Sequence, residues 1–458
     1  MNKPDAIADG NWLKNEIGRH AFHPMAHPKD TVANPPPIIV GGDGVHITDL
    51  DGRRMIDCQG GLWCVNAGYG RQEIVDAVTR QMAELPYYNL FPGGSNAPAV
   101  RLAAKLCEIT GAEDMSRVLF GSGGSDATET AFKIARQYWK LVGEAERIKF
   151  ISFRGGYHGL HFGGTSACGG DAWRRSYEPL VPGFINCEWP NLYRPPIDGL
   201  EPEALVEACI KLLEREIAFQ SPDTIAGIIA EPIQGAGGVN VPPESWYPRL
   251  RHVCDRHGIL LIADEVITGL GRSGALFGSR GWGVKPDIMC LAKGVTSGYL
   301  PLGATLISRR VADAWEADGP RAVMMHGYTY SGHPVSCAAG LAAIDIVERE
   351  NLTANAREVG AYFLEKLLAL KDKHRVIGDV RGKGLMIAVE LVKDRGTKEP
   401  FLPADTYPGA ISDICVENGV MMRTIVNKFI ISPPLIFTRD HVDQVVGVLD
   451  RALTRKPY

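Results

Sequence analysis

Two charged side chains close two apolar segments that stand 29 residues apart, at Asp264 and Lys293. The segment ILLIADEV carries Asp264 near its end, and DIMCLAKG carries Lys293 in the same place. Each segment has the length and the apolar character of a buried parallel strand. The residues between them suffice for a crossover between parallel strands, so we expect the carboxylate and the amine to meet in one cleft.

A lysine paired with a carboxylate suits pyridoxal 5'-phosphate (PLP). The amine forms a Schiff base with the aldehyde of this cofactor, and the carboxylate keeps its pyridine nitrogen protonated, so that the ring withdraws electrons. Two simpler hypotheses remain open: Lys293 is a solvated lysine at a strand end, or Asp264 pairs with a nearby base such as Arg272. Glu265 points to the opposite face of its strand and is expected to be structural.

The stretch FGSGGSDATETAFKIARQYW predicts a strand end, a glycine-rich turn and a helix. We expect Gly123 and Gly124 to adopt positive φ and to let a ligand approach the backbone. Ser125 or Asp126 is expected to cap the helix, with Glu129 completing a capping box. A phosphate would bind the free amides at the positive end of the helix dipole. Alone, the stretch fits a plain strand-to-helix turn equally well.

Further polar and aromatic residues follow other strand-like segments. Tyr157 offers a flat face to a pyridine ring, and Val266 can press on the opposite face. Glu231 can contact an arginine of the cleft when no substrate carboxylate is present. The Thr329 hydroxyl can donate to a phosphate, and Arg423 has the fork that binds a carboxylate. Taken singly, each is also explained by core packing, a solvated strand end, a loop or the surface.

Size and composition restrict the class of protein. A chain of 458 residues exceeds one ordinary core, and a net charge of -4 gives no basic footprint for nucleic acid or anionic membranes. The first residues lack the apolar core that a signal peptide needs, no apolar run reaches 18 residues, and the ten cysteines include no CxxC pair. We therefore expect a cytoplasmic protein with reduced thiols that acts on small molecules.

The order of the segments predicts an α/β fold. The strands VLFGS, FISF, TIAGIIAEPI, ILLIADEV, DIMCLAKG and GATLISRR alternate with helical patterns, which indicates a mostly parallel sheet covered by helices. The segments VHITDLDG and RRMIDCQGG suggest a hairpin. We divide the chain into an N-terminal arm that is part of a small domain (1–65), a large cofactor-binding domain (66–328) and a smaller α+β domain (329–458).

Two patterns suggest other functions and are judged to be coincidental. GLGRSG (269–274) matches a dinucleotide-binding turn, but the stretch after it is too rich in glycine to open a helix, and no acid for a ribose follows. His20, His23 and His27 lie close together, yet no cysteine or carboxylate completes a metal set.

The chain resembles the class III PLP-dependent aminotransferases, particularly the omega-transaminases that pass an amino group to pyruvate, over nearly its whole length. The resemblance rests on the stretches GGLWCVNAGYG, GSGGSDATETA, YHG, EPIQGAGG, ADEVITGLGRSG, LAKGVTSGYLPLGA, TYSGHPVSCAAG and SPPL. It implies a fold type I enzyme whose N-terminal segment joins the C-terminal part in the small domain. It also implies a homodimer with active sites at the interface.

The resemblance assigns a role to each site residue. It implies that Lys293 forms the Schiff base, Asp264 faces the pyridine nitrogen and Arg423 binds the substrate carboxylate, swinging aside for amines without one. The resemblance further implies that the cofactor phosphate is bound by Gly124 and Ser125, and that the two faces of its ring are covered by Tyr157 and Val266. It implies that Thr329 binds the phosphate of the neighbouring subunit's cofactor, and that the substrate pocket is lined by Trp63 and Tyr88.

Two positions depart from the family pattern. The cradle is usually SGSEAN, and here GGSDAT leaves Gly123 without a hydroxyl. A Gly-Asp pair usually follows the arginine, and here Val426 and Asn427 stand in its place.

The predicted reaction is a ping-pong transamination from an amine or omega-amino acid to a keto acid such as pyruvate. The motifs leave the donor open among β-alanine, taurine, diamines and arylalkylamines, and do not distinguish a dimer from a tetramer. Rival hypotheses are another PLP reaction (an aminomutase or a decarboxylase), a nicotinamide-dependent dehydrogenase and a non-catalytic binding module.

Overall fold

The computed structural model describes residues 10–458; residues 1–9, where the predicted arm begins and where no signal peptide was expected, lie outside the described residues. The strands of the described part are, in chain order, β1 (Ile39–Asp43), β2 (His46–Asp49), β3 (Arg54–Asp57), β4 (Met115–Gly121), β5 (Lys149–Phe153), β6 (Phe184–Cys187), β7 (Ile225–Ala230), β8 (Leu260–Asp264), β9 (Ile288–Leu291), β10 (Gly303–Ser308), β11 (Ile377–Gly382), β12 (Ile387–Asp394), β13 (Glu399–Pro400), β14 (Val420–Met421), β15 (Arg423–Ile425) and β16 (Lys428–Ile431).

The α-helices of the same part are α1 (Gly10–Glu16), α2 (Pro28–Ala33), α3 (Gly60–Trp63), α4 (Gln72–Glu84), α5 (Ala97–Ile109), α6 (Gly124–Leu141), α7 (Phe162–Ala167), α8 (Asp171–Arg174), α9 (Pro202–Gln220), α10 (Trp246–His257), α11 (Gly278–Gly281), α12 (Arg309–Ala312), α13 (Pro334–Arg349), α14 (Leu352–Lys373), α15 (Tyr407–Glu417) and α16 (Arg439–Arg455). None of the helices within residues 10–458 has the length and hydrophobicity needed to cross a membrane.

The largest sheet has seven strands in the order β4-β10-β9-β8-β7-β5-β6. All six strands predicted for it are confirmed, and β6 is an addition. Neighbours from β9 to β6 are parallel, whereas β10 is antiparallel to both β9 and β4. Only residues 292–302 separate β9 from β10, fewer than a parallel crossover needs, so the chain turns back. The sheet is therefore mostly parallel, with one reversed strand.

Strands β8 and β9 are direct neighbours in this sheet. Their parallel register aligns Asp264 with Cys290, and Lys293 follows three residues later. Both strands are buried along their length, because helices cover both faces of the sheet. The two polar residues therefore leave the sheet at the same carboxyl edge, as their spacing predicted.

Two smaller sheets join the ends of the chain. The predicted hairpin is confirmed as β2 and β3, which lie in a four-stranded sheet with the order β1-β2-β3-β14. In that sheet β3 pairs in parallel with β14, aligning Ile56 with Val420. The other sheet has the order β11-β12-β16-β15, with β13 paired to β12. The N-terminal and C-terminal parts of the chain share one hydrophobic core, since it contains Ile56 as well as Phe363 and Leu449.

A two-residue turn, Val426 and Asn427, connects β15, which begins at Arg423, to β16. Val426 adopts φ +53 there, although it is β-branched and its side chain is 46% exposed. Asn427 is buried, and its side-chain amide donates to the Leu391 carbonyl at 2.8 Å. The turn is therefore anchored at Asn427 and strained at Val426, because a left-handed conformation costs an L-residue about 1–2 kcal/mol.

We expect Val426→Gly to raise the free energy of unfolding by about 0.5–1 kcal/mol, because relief of the strain exceeds the entropy cost of glycine. The measurement is the urea midpoint. The matched control is Val142→Gly, since Val142 is equally exposed at 45% but has φ -84, and this variant should lose stability. A midpoint that falls in both variants would contradict strain at Val426.

Candidate active site

A cavity of about 360 Å³ opens at the carboxyl edge of the seven-stranded sheet. It gathers predicted site residues from five separate segments, namely Gly124, Ser125, Tyr157, Glu231, Asp264, Val266 and Lys293. The strands that precede these segments end at one edge, and this is where open α/β sheets bind their ligands. The predicted meeting of the carboxylate and the amine in one cleft is thus observed.

Lys293 begins a short 3-10 turn (Lys293–Thr296) directly after β9 and has φ +47. Its side chain is half-buried, and removal from water lowers the pKa of its amine, which Cys64 and Asp264 partly oppose. It forms no ion pair with a carboxylate of residues 10–458. An amine in this state has a larger neutral fraction than a solvated lysine and is a better nucleophile and base.

Asp264 is bonded to a histidine. Its Oδ2 lies 2.8 Å from Nδ1 of His158, and its Oδ1 accepts from the Val266 amide at 3.1 Å. The alternative pairing with Arg272 is wrong, because that guanidinium donates to Asn66 Oδ1 at 2.9 Å and to backbone carbonyls elsewhere. His158 therefore fixes the carboxylate of Asp264, and Asp264 itself lines the cavity.

Glu231 is buried and is bound by backbone amides. It accepts from Tyr157 at 3.0 Å and from Gly235 at 2.8 Å. Burial raises the pKa of Glu231 to about 7. His158 opposes this shift, and the negative charge of Asp264 adds to it. No arginine of the described chain contacts it. In this structure its carboxylate holds the backbone at Tyr157 and at Gly235.

The glycine-rich turn differs from its predicted conformation. Gly123 is extended at φ -177 and Gly124 is helical, so the expected positive φ values are wrong. Gly124 and the facing Gly303 are needed for space instead, whereas a Cβ on Gly123 would meet no atom within 4 Å. A Cβ on Gly124 would lie 2.9 Å from Val266 Cγ1, and one on Gly303 would lie 2.2 Å from the Gly123 carbonyl.

The predicted capping of α6 is also wrong. Its N-cap is Gly123, which offers no side-chain acceptor, and Asp126 reaches back to accept from the Ser122 amide at 2.6 Å. Glu129 forms no capping box. The Ser125 hydroxyl accepts from the Leu160 amide at 3.1 Å. The first turn of α6 therefore faces the cavity without a side-chain cap.

Four predicted residues do not line this cavity: Trp63, Tyr88, Thr329 and Arg423. Trp63 is buried with φ +67, next to Cys64, which does line the cavity. Thr329 is exposed, and its carbonyl accepts from the Tyr87 hydroxyl at 2.6 Å.

Arg423 makes no side-chain hydrogen bond within the described residues. Burial lowers the pKa of Arg423, and Tyr157 partly opposes this effect. Arg423 in turn helps to lower the pKa of Lys293, so the guanidinium lies within electrostatic reach of the cavity.

Sequence reasoning missed several residues of the cavity, among them His158 and Cys64. His158 was overlooked although it follows Tyr157 directly, and a histidine beside a predicted ring platform is a usable signal. Cys64 was overlooked beside Trp63, and its only signal was that proximity.

Known proteins match this chain along most of its length. The family model described as Aminotransferase class-III matches residues 29–453. The solved structure of a PLP-bound amine transaminase from an uncultivated Pseudomonas species is 52% identical, covers 95% of this chain and 98% of its own, and gives a TM-score of 0.93.

Two curated relatives are also similar. The putrescine–pyruvate aminotransferase of Pseudomonas aeruginosa is 38% identical over 91% of this chain and 90% of its own length. The taurine–pyruvate aminotransferase of Bilophila wadsworthia is 39% identical over 92% of each chain. The chain therefore belongs to the class III aminotransferase family, and it is a PLP-dependent enzyme that transfers an amino group from an amine to a keto acid.

Proposed function

We propose that the chain is an omega-transaminase that takes an amino group from an amine or omega-amino acid and passes it to pyruvate in a ping-pong reaction. The observation that carries this proposal is the convergence of Lys293 and Asp264 in one cavity without an ion pair between them. A lysine with a purely structural role at this depth would pair with a carboxylate. An amine that must react with an aldehyde is better left unpaired.

The residues present fit PLP. The uncapped first turn of α6 offers amides to a phosphate, and the absent Cβ of Gly124 leaves room beside Val266. We therefore assign Gly124 and Ser125 to the phosphate, Tyr157 and Val266 to the ring faces, and Asp264 to the ring nitrogen. We assign Glu231 to the cofactor site as the residue that holds the Tyr157 backbone in place.

Bound PLP supplies a cationic ring that stabilises negative charge on the amine-bearing carbon of the substrate. The protein does the remaining work. Nζ of Lys293 takes a proton from that carbon and returns it on the cofactor side, which an amine of lowered pKa does well near neutral pH. Asp264, bonded to His158, would hold its carboxylate toward the ring nitrogen.

Arg423 is our candidate for binding the carboxylate of the keto acid. Its guanidinium donates to no residue of the range 10–458 and lies within electrostatic reach of Tyr157 and Lys293. Trp63 and Tyr88 are assigned to the wall of the substrate pocket. Both relatives described above are named for pyruvate, and this supports pyruvate as the acceptor. Taurine, β-alanine, diamines and arylalkylamines are the candidate donors.

We also propose a homodimer in which Thr329 serves the cofactor phosphate of the partner subunit. Thr329 is exposed and lies beside a patch of large exposed side chains: Tyr87, Tyr88, Phe91, Met325 and Tyr330. Such a patch on a protein of this size is typical of an interface. We further propose a cytoplasmic location, which suits ten unpaired cysteines, and a division into segments 1–65, 66–328 and 329–458.

The proposed role of Lys293 predicts that Lys293→Ala lowers transamination by roughly three orders of magnitude or more. Wild-type protein with PLP should show visible absorbance that borohydride abolishes, and this variant should not. With amine alone, the wild type should accumulate one equivalent of pyridoxamine phosphate.

The matched control is Lys285→Ala, which removes an exposed lysine eight positions earlier. It should leave the transamination rate and the visible absorbance unchanged. Release of carbon dioxide with regeneration of PLP would instead identify a decarboxylase.

The proposed role of Arg423 predicts that Arg423→Ala raises KM for pyruvate by about 10- to 100-fold, the loss expected for hydrogen bonds to a charged group. KM for an amine without a carboxylate should change less than about twofold. Steady-state kinetics with each substrate varied in turn measures both. Arg375→Ala, at an exposed arginine, is the control. Equal changes in both KM values would remove Arg423 from acceptor binding.

The raised pKa of Glu231 predicts a pH effect on the stability of the apoenzyme. A carboxyl whose pKa is about 7 when folded and 4.5 when unfolded contributes stability that is complete below pH 4.5 and is lost as pH rises to 7. Relative to Glu231→Gln, the wild-type Tm should therefore fall across this window. Glu244→Gln, at an exposed glutamate, should show no such difference. A flat difference between wild type and Glu231→Gln would contradict the raised pKa.

A further inference from the structure

A buried group of charges lies beside the hairpin that carries Arg423. We call Glu390, Arg194, Arg381 and Lys428 the Glu390 cluster. The Glu390 carboxylate is 1% exposed, with Oε1 2.7 Å from Arg194 Nε and Oε2 2.9 Å from Arg381 Nη2. Burial opposes ionisation, but Lys428, Arg381 and Arg194 together lower the pKa of Glu390. Three cations thus surround this buried carboxylate, and one of them, Arg381, also pairs with Asp379, whose Oδ2 lies 2.8 Å from its Nη1.

Arg381 also binds the loop that follows Glu231. Its Nε lies 3.0 Å from the Gly238 carbonyl and 3.2 Å from that of Val239, and its Nη2 lies 2.7 Å from the former. The start of this loop is bound by Glu231, which accepts from the Gly235 amide. A single guanidinium therefore connects Glu390 to a loop whose other end is attached to a cavity residue.

Lys428 connects the same carboxylate to the hairpin. It lies opposite Glu390 in the pairing of β12 with β16, and opposite Ile425 in the pairing of β15 with β16. Its stem crosses Gly238, because a Cβ there would lie 2.7 Å from Lys428 Cδ. Arg423 stands two residues before Ile425 on the same strand. The hairpin and the loop after Glu231 therefore meet at the Glu390 cluster.

We infer that the Glu390 cluster positions the Arg423 hairpin against the loop after Glu231 and thereby sets the affinity for the acceptor carboxylate. The inference rests on the proposed function, in which Arg423 binds that carboxylate. Without the charge of Glu390, Arg194 and Lys428 would lose their counter-charge and Arg381 would keep only Asp379, and the repulsion among these cations would separate the hairpin from the loop. Bidentate binding tolerates little displacement of the guanidinium.

The experiment is Glu390→Gln in the PLP-loaded enzyme, which keeps the shape of the side chain and removes its charge. KM for pyruvate should rise by about tenfold, and kcat at saturating pyruvate and KM for an amine without a carboxylate should stay within about twofold. The Kd of oxamate, a non-reacting analogue of pyruvate, should rise by the same factor in calorimetry. A purely structural role would move Tm without separating the two KM values.

Arg381→Lys provides a second variant should Glu390→Gln fold poorly. It keeps the positive charge but loses the fork that spans Glu390 and Gly238, so the rise in KM for pyruvate should be smaller and in the same direction. The matched control is Asp450→Asn. Asp450 also joins two basic groups, Lys373 at 2.7 Å and His374 at 2.6 Å, but contacts neither the hairpin nor the loop.

Unchanged affinity for pyruvate and oxamate in both variants, or equal changes for acceptor and amine, would overturn the inference. Arg423→Ala, measured in parallel, separates this failure from that of the proposed function. If Arg423→Ala weakens pyruvate binding and the cluster variants do not, only the role of the cluster is refuted. If Arg423→Ala has no effect, the assignment of Arg423 fails first.

Discussion

The site depends on keeping an amine and a carboxylate in one cavity without letting them neutralise each other. Lys293 and Asp264 both line the cavity, and opposite charges at this depth attract strongly. The structure prevents a direct pair by giving Asp264 another partner, because His158 binds Oδ2 at 2.8 Å. The Lys293 amine has no such partner, and its removal from water lowers its pKa. A reactive lysine and a persistent negative charge can therefore coexist.

The sheet imposes this separation through its register. Asp264 ends β8 opposite Cys290, whereas Lys293 lies three residues beyond that level, after β9 has ended and at φ +47. The reversed strand β10 then brings Gly303 against the Gly123 carbonyl, where no Cβ fits. The short connection that forces β10 to turn back thus also closes the cavity behind the first turn of α6. The sheet that carries the lysine therefore also positions the glycine-rich turn.

Sequence alone predicted the parts of the structure that depend on local pattern. β8 and β9 are continuous apolar segments and α6 is a long amphipathic one, so the type of each element and the polar residues at the strand ends could be identified. β14 and β15 have two and three residues, too few to show a period. Gly123 and Gly124 were expected to supply unusual φ values, but neither does, and Gly124 is required for space because a Cβ there would lie 2.9 Å from Val266 Cγ1. Contacts across the fold decide such points, and no local pattern encodes them.

The partner of Asp264 illustrates the same limit. His158 is 106 positions away in the chain, whereas Arg272, the base considered from the sequence, is only eight positions away. Proximity along the chain suggested the wrong partner. β8 and β5 end at the same edge of the sheet, and His158 lies in the segment after β5. Parallel sheets bring distant segments together at their carboxyl edge, so partners there are set by strand order.

In the proposed function, one sheet carries the residues for proton transfer and another carries the residue that binds the acceptor. This separation explains how acceptor and donor preferences can vary independently. Asp264 ends a strand of the seven-stranded sheet and Glu231 and Lys293 come after two others, whereas Arg423 lies on β15 in a different sheet. Changes at the Arg423 hairpin alter carboxylate binding without moving the lysine, provided that the Glu390 cluster keeps the hairpin in contact with the loop after Glu231. In this proposal, the residues assigned to proton transfer lie apart from the residue assigned to the acceptor carboxylate. The junction between them is one buried carboxylate, so acceptor affinity should respond to electrostatics at Glu390 more steeply than to packing around it.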